Sequence, residues 1–142
     1  MKLYTVDKAS AEFYPVSNDE IKDLENVLNI TIPNELKKFY TQFGYGFLGS
    51  KDGYPNRIMD TYSIRDFRLQ QNDYEFFEDI DLYKKYEDGK LVFFEQDESA
   101  MLSIELGDKA ESKIYYYDTV VANSLQEFLQ KMEDDELYFT KL

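Results

Sequence analysis

The stretch Ser17–Gly49, SNDEIKDLENVLNITIPNELKKFYTQFGYGFLG, decides the fold. Ser17 and Glu20 have the spacing of a capping box, in which hydroxyl and carboxylate satisfy free backbone donors reciprocally. Ile21, Leu24 and Leu28 then recur at helical spacing, with Val27 widening the apolar stripe, so a helix starts after Ser17. Asn29 stops it, and Ile30 and Ile32 staple the turn. Pro33 suits a first helical turn, where its missing N–H costs nothing. Leu36, Phe39, Tyr40 and Phe43 give a second helix its apolar face, and Gly44 can close that helix with positive φ. Gly at 44, 46, 49 and 53, with Pro55, then demands a backbone that bends sharply more than once.

On the N-terminal side of this stretch, Lys2–Val6 reads as a short edge strand, and Phe13–Val16 leads into the first helix. On the C-terminal side, Arg57–Asp60 reads as a strand, and Ser63–Leu69 as a short helix or irregular chain. Asn72 with Glu75 is placed to cap a third helix that carries Phe76, Ile80 and Tyr83 inward and ends at Asp88-Gly89. Leu91–Glu95, Met101–Leu106 and Lys113–Asp118 are short, rich in branched or aromatic residues and separated by polar turns, which predicts three strands. Gly107–Ser112 reads as a hairpin connection. Ser124 and Glu127 repeat the capping signal ahead of Leu125, Phe128, Leu129 and Met132, a last amphipathic helix. No internal repeat or linker interrupts residues 1–142, so one α+β domain is expected. Its central antiparallel sheet has the N-terminal helix pair and the C-terminal helix packed around it.

Composition narrows the chemistry. The chain has 142 residues, no His and no Cys, which removes an ordinary structural zinc site, a thiol nucleophile and a His-based triad. A small carboxylate-dependent enzyme stays conceivable but disfavoured. The longest apolar runs are four residues, Leu91–Phe94 and Ile114–Tyr117, far below the roughly 20 needed to span a bilayer. A cytoplasmic protein with no membrane association is expected. Sixteen basic and 29 acidic residues leave a net charge of −13. Residues 1–71 hold nine Lys/Arg against ten Asp/Glu, whereas residues 72–142 hold seven against nineteen. Such a field repels nucleic acid and attracts a basic partner, or it serves solubility alone.

Two surfaces follow as candidates for partner binding. The glycine-rich loop offers Tyr45 and Tyr54 as aromatic anchors, or as covers for the helix end, with Phe47 expected to plug the core. Tyr74, Glu75, Glu78, Asp79 and Asp81 interleave carboxylates with aromatics, either as a surface for a basic cleft or as a solvated helix face. Arg57 and Asp60 are expected to pair for structural reasons. Glu133-Asp134-Asp135-Glu136 crowds four carboxylates at a negative helix end, so either the helix frays there, the expected outcome, or the charge serves a partner. No metal and no cofactor are expected. There is no Trp, and most of the 13 Tyr and 11 Phe are needed to fill the core.

Three pieces of the chain, in order, resemble the SUKH superfamily. They are Ile21-x-x-Leu24-Glu25 with Ile30-x-Ile32-Pro33, Leu36-x-x-Phe39-Tyr40 and the Gly44–Gly49 loop; the Asn56–Asp60 strand entry; and Ile114–Asp118 followed by Ala122-x-Ser124-Leu125-x-Glu127-Phe128-Leu129. Residues 70–86 have no counterpart in that pattern. The resemblance implies a non-enzymatic binding protein. Bacterial relatives are typically encoded beside a polymorphic toxin and bind its toxic domain, often a nuclease, whereas fungal relatives act as regulatory scaffolds. An immunity protein that occludes the active site of a cognate, basic toxin domain is therefore expected, with a regulatory scaffold as the alternative. The identity of the toxin and the oligomeric state stay open.

Overall fold

The computed structural model describes residues 11–50, 52–76, 81, 83, 87–96 and 100–141. Seven strands form one antiparallel sheet: β1 Glu12–Tyr14, β2 Tyr45–Phe47, β3 Asn56–Ile58, β4 Lys90–Gln96, β5 Ala100–Glu105, β6 Ile114–Tyr116 and β7 Thr119–Ala122. Their order in space is their order in the chain, so no crossover connection is needed. The helices α1 Asn18–Leu28 and α2 Asn34–Gln42 lie between β1 and β2, α3 Thr61–Leu69 between β3 and β4, and α4 Leu125–Asp134 after β7. The architecture is α+β.

The N-terminal helix pair is built by local rules. Ser17 Oγ accepts the Glu20 N–H at 3.1 Å, and the Glu20 carboxylate accepts the Ser17 N–H at 3.2 Å, completing the capping box. Asn29 ends α1 in the left-handed region at φ 53°, its N–H returned to the Glu25 carbonyl. The Glu25 carboxylate then takes the Ile32 N–H at 2.8 Å and pairs with Lys37 at 3.0 Å, which fixes the turn into α2. Ile21, Leu24, Leu36, Phe39 and Tyr40 are buried, as their spacing requires. Val27 is not. It stands 56% exposed at the rim of a cleft between α1 and α3, because the stripe that meets the core is narrower than the sequence suggests.

Two glycines carry the chain back onto β1. Gly46 pairs with Phe13 across the ladder. A Cβ at Gly44 would sit 1.9 Å from the Tyr14 carbonyl oxygen, and one at Gly46 would sit 2.1 Å from that of Glu12. Both also have positive φ, 101° and 140°, so only glycine meets both the backbone and the steric demand.

At the centre of the sheet, Leu91–Phe94 and Ala100–Ile104 are buried without interruption. Successive strand side chains point to opposite faces, so both faces of β4 and β5 are covered. Phe128 of α4 packs its ring against Phe93 and Phe94 at 6.2 and 5.1 Å. Tyr40 donates to the Met59 carbonyl at 2.6 Å, a buried bond whose burial holds the phenol protonated far above its ordinary range.

Several sequence expectations need correction or extension. The Lys2–Val6 strand lies outside the described residues. The third strand prediction stops at Tyr116, and a two-residue turn at Tyr117-Asp118 leads into β7, which the sequence reading missed. Ser124 caps α4 by accepting the Glu127 N–H at 3.0 Å, but Glu127 answers with the Asn123 N–H, one residue before the cap. The four carboxylates at the end of α4 separate. Helix α4 ends at Asp134 and Asp135 pairs with Lys141 at 2.7 Å, while Glu136 turns inward. Its carboxylate accepts Asn56 Nδ2 at 2.6 Å and the Asp52 N–H at 3.0 Å, and its carbonyl accepts Gln96 Nε2 at 2.9 Å. A charge predicted to fray a helix instead locks β3 and β4 to the C-terminal turn. Glu35 does similar work from the first turn of α2, accepting the buried N–H groups of Ser112 and Leu125.

Candidate partner-binding surface

The segment after α3 begins with a left-handed residue, Gln70, at φ 55°. Asn72 and Glu75, expected to cap a third helix, instead open and close a 3-10 turn, Asn72–Tyr74, while Asp81 and Tyr83 further along are helical as expected. Tyr74 is buried, its ring edge-on to Phe67 at 5.2 Å. Its hydroxyl donates to Glu95 at 3.2 Å and accepts Arg57 Nη2 at 3.2 Å. Tyr74 is therefore an anchor beneath the surface and not part of it.

Arg57 is the hub beneath this turn. From β3 it reaches Glu95 on the paired strand β4 at 3.2 Å, Asp60 at 3.4 Å and Ser63 Oγ at 3.3 Å. Ser63 in turn donates to Asp60. The expected Arg57–Asp60 pair is present, but Glu95 and Tyr74, 38 and 17 residues away, are partners that spacing along the chain could not reveal. Burial opposes the charge on Arg57, and the neighbouring Glu95, Tyr74 and Asp60 outweigh it, so its pKa rises. Burial and the adjacent Glu95 carboxylate raise the pKa of Tyr74 as well.

With Tyr74 pinned, its successors face solvent. Glu75 is exposed, and Phe76, expected inside, is 87% exposed. Asp73 and Asp81 are also exposed. None of these three carboxylates forms an ion pair among the described residues. Tyr83 is buried again, its hydroxyl accepting the Met101 N–H at 3.3 Å. Glu87 is buried beside Arg68 at 3.6 Å. Of the expected acidic surface, the structure brings Glu75 and Asp81 to solvent and takes Tyr74 inside; Glu78 and Asp79 lie outside the described residues. Phe76 was placed inward by its spacing to Ile80 and Tyr83, and the 3-10 turn at Asn72–Tyr74 breaks the helical register on which that spacing relied.

The loop aromatics behave differently. Tyr45 and Phe47 lie two residues apart on β2 and so share one face of the sheet. Tyr45 packs partly against the core and leans on the half-exposed Tyr14 ring at 5.5 Å. Phe47, expected to plug the core, is only half-buried on this short strand near the sheet's β1 end. Tyr54 is half-buried, its N–H held by Ser50 Oγ at 2.8 Å.

Among the described residues no group of three or more carboxylates is placed to hold a metal ion, and no helix is long and apolar enough to cross a membrane. The chain belongs to the SMI1 / KNR4 family (SUKH-1), whose profile matches residues 15–131. It is 50% identical over 131 residues to a Bacillus subtilis (strain 168) protein named immunity protein YxxD, covering 92% of this chain and 89% of that one. No solved structure matches the chain.

Proposed function

We propose that this protein is an immunity protein that binds a cognate toxin domain and blocks its active site or the approach of its substrate. The observation that carries the reading is the exposed Phe76 ring beside the exposed Asp73 and Glu75, which form no ion pair among the described residues, in a chain half-identical to a protein named an immunity protein. A toxin that handles a polyanion presents a basic cleft, and Asp73, Glu75 and Asp81 would enter it on favourable electrostatic terms and speed encounter. Phe76 would supply the desolvated anchor that long-range charge cannot. No catalytic role is assigned to this chain. Tyr14 and Tyr45, in ring contact at the β1 end of the sheet, and the half-buried Tyr54 would be further aromatic contacts for the same partner.

Co-expression with the toxic domain encoded beside it tests the proposal. Wild-type chain is expected to restore growth and to bind with an affinity that falls as salt rises. No rescue and no complex would remove the immunity reading for that pair.

A further inference from the structure

We infer that Tyr117 is a positioning residue for the acidic surface. It stacks on Tyr83, two residues beyond the exposed Asp81, and it occupies a backbone conformation ill suited to tyrosine in order to do so. The inference rests on the function proposed above for its purpose, and on geometry alone for its existence.

Tyr117 and Asp118 form the two-residue turn between β6 and β7, whose flanking pair is Tyr116 and Thr119. Tyr117 has φ 56°, the left-handed region. Glycine is favoured at the first position of a two-residue turn with positive φ there, and Asn is tolerated. A bulky side chain in that region is an outlier that the surroundings must hold in place. The ring's contacts account for it. It lies nearly parallel to Tyr83, 5.0 Å between centroids and 13° between planes, with the two hydroxyls 3.4 Å apart. Tyr116 backs it at 4.6 Å and itself meets Phe139 edge-on at 5.3 Å. Tyr83 reaches Phe67 at 6.3 Å, the same ring that holds Tyr74. One aromatic row thus grips both Tyr74 and Tyr83, and the described residues between them, Glu75, Phe76 and Asp81, are all exposed. Burial and the Tyr117 hydroxyl raise the pKa of Tyr83, in keeping with a dry contact.

A turn residue chosen only for the hairpin would be improved by glycine. Tyr117→Gly should leave a folded protein whose melting temperature stays near wild type, because relief of the turn offsets the lost ring. Native-state hydrogen exchange should accelerate at Glu75, Phe76, Asp81 and Tyr83 while the amides of β4 and β5 stay protected. Affinity for the toxin domain should fall about tenfold, chiefly through faster dissociation, since the surface must be ordered on binding. Tyr117→Phe keeps the stack and should behave as wild type in both measurements. Unchanged exchange in Tyr117→Gly would overturn the clamp. Faster exchange with unchanged affinity would overturn its role in binding. If wild-type chain binds no toxin domain, the proposed function fails, and exchange alone decides whether the clamp exists.

Discussion

The helix pair at Asn18–Gln42 and the segment from Asn72 to Glu87 are each anchored by aromatic and charged side chains, yet by interactions of opposite range. In the first, the contacts that set the helix ends and the turn lie within seven residues, Ser17 with Glu20, Asn29 with Glu25 and Glu25 with Ile32, and the packed face of α2 reaches further, through Glu35 and Tyr40. In the second, the anchors reach across the fold, from Tyr74 to Arg57 and Glu95, from Tyr83 to Met101 and Tyr117. Short-range rules make a rigid platform. Long-range anchors make a surface whose few outward residues are free to be chosen for a partner.

The largest expected effect lies just beyond the helix pair, on β2. Gly46→Ala places a methyl against the Glu12 carbonyl in a conformation alanine resists, so denaturant unfolding should show a loss of about 3 kcal/mol or more. A smaller loss would mean that β1 is held less firmly than the register implies. Arg57→Ala comes next. It strips the charge partner from Glu95, Asp60 and Tyr74 together, and a loss of about 2–3 kcal/mol is expected in the same experiment. Because Arg57 holds Tyr74 beneath the proposed partner surface, the proposed role predicts that its loss weakens toxin binding too, whereas Gly46→Ala should affect binding only as far as it unfolds the chain. Ser17→Ala removes a purely local bond and should cost about 1 kcal/mol, with toxin affinity unchanged. Phe76→Ser completes the series at the other extreme. Stability should move by less than about 0.5 kcal/mol, because an 87% exposed ring contributes little to the core. Calorimetric titration should nonetheless show affinity reduced about tenfold or more.

The same contrast explains what the sequence could disclose. The Ser17–Glu20 capping box, the Ser124 cap, the Asn29 stop, the Pro33 start and the buried stripe of α2 are encoded by neighbours, so they were legible. Strands β4 and β5 were legible because continuous apolar runs between polar turns have few other uses. Val27, Phe76 and Glu136 were misread for one reason: each was assigned by its local pattern, and tertiary packing reversed it. Glu136 finds Asn56 and Gln96, 80 and 40 residues away, and becomes a buried acceptor where repulsion was expected. Strand β7 was hidden because its entry turn uses tyrosine in a place where glycine or asparagine would have announced a hairpin. Within the candidate surface, the exposure of Glu75 and Asp81 is what charged residues in an acidic stretch lead one to expect. The inward turn of Tyr74 is not, because its partners belong to β3 and β4.

The most direct test of the proposed immunity role through this surface is growth rescue by a variant that keeps the platform and alters only the outward residues. Glu75→Lys, Phe76→Ser and Asp81→Lys combined should melt close to wild type, because all three side chains are exposed. Expressed at wild-type level beside the toxic domain, this variant should fail to restore growth while wild-type chain succeeds. Rescue by the triple variant equal to that of wild type would place the toxin contact elsewhere on the fold and contradict the claim.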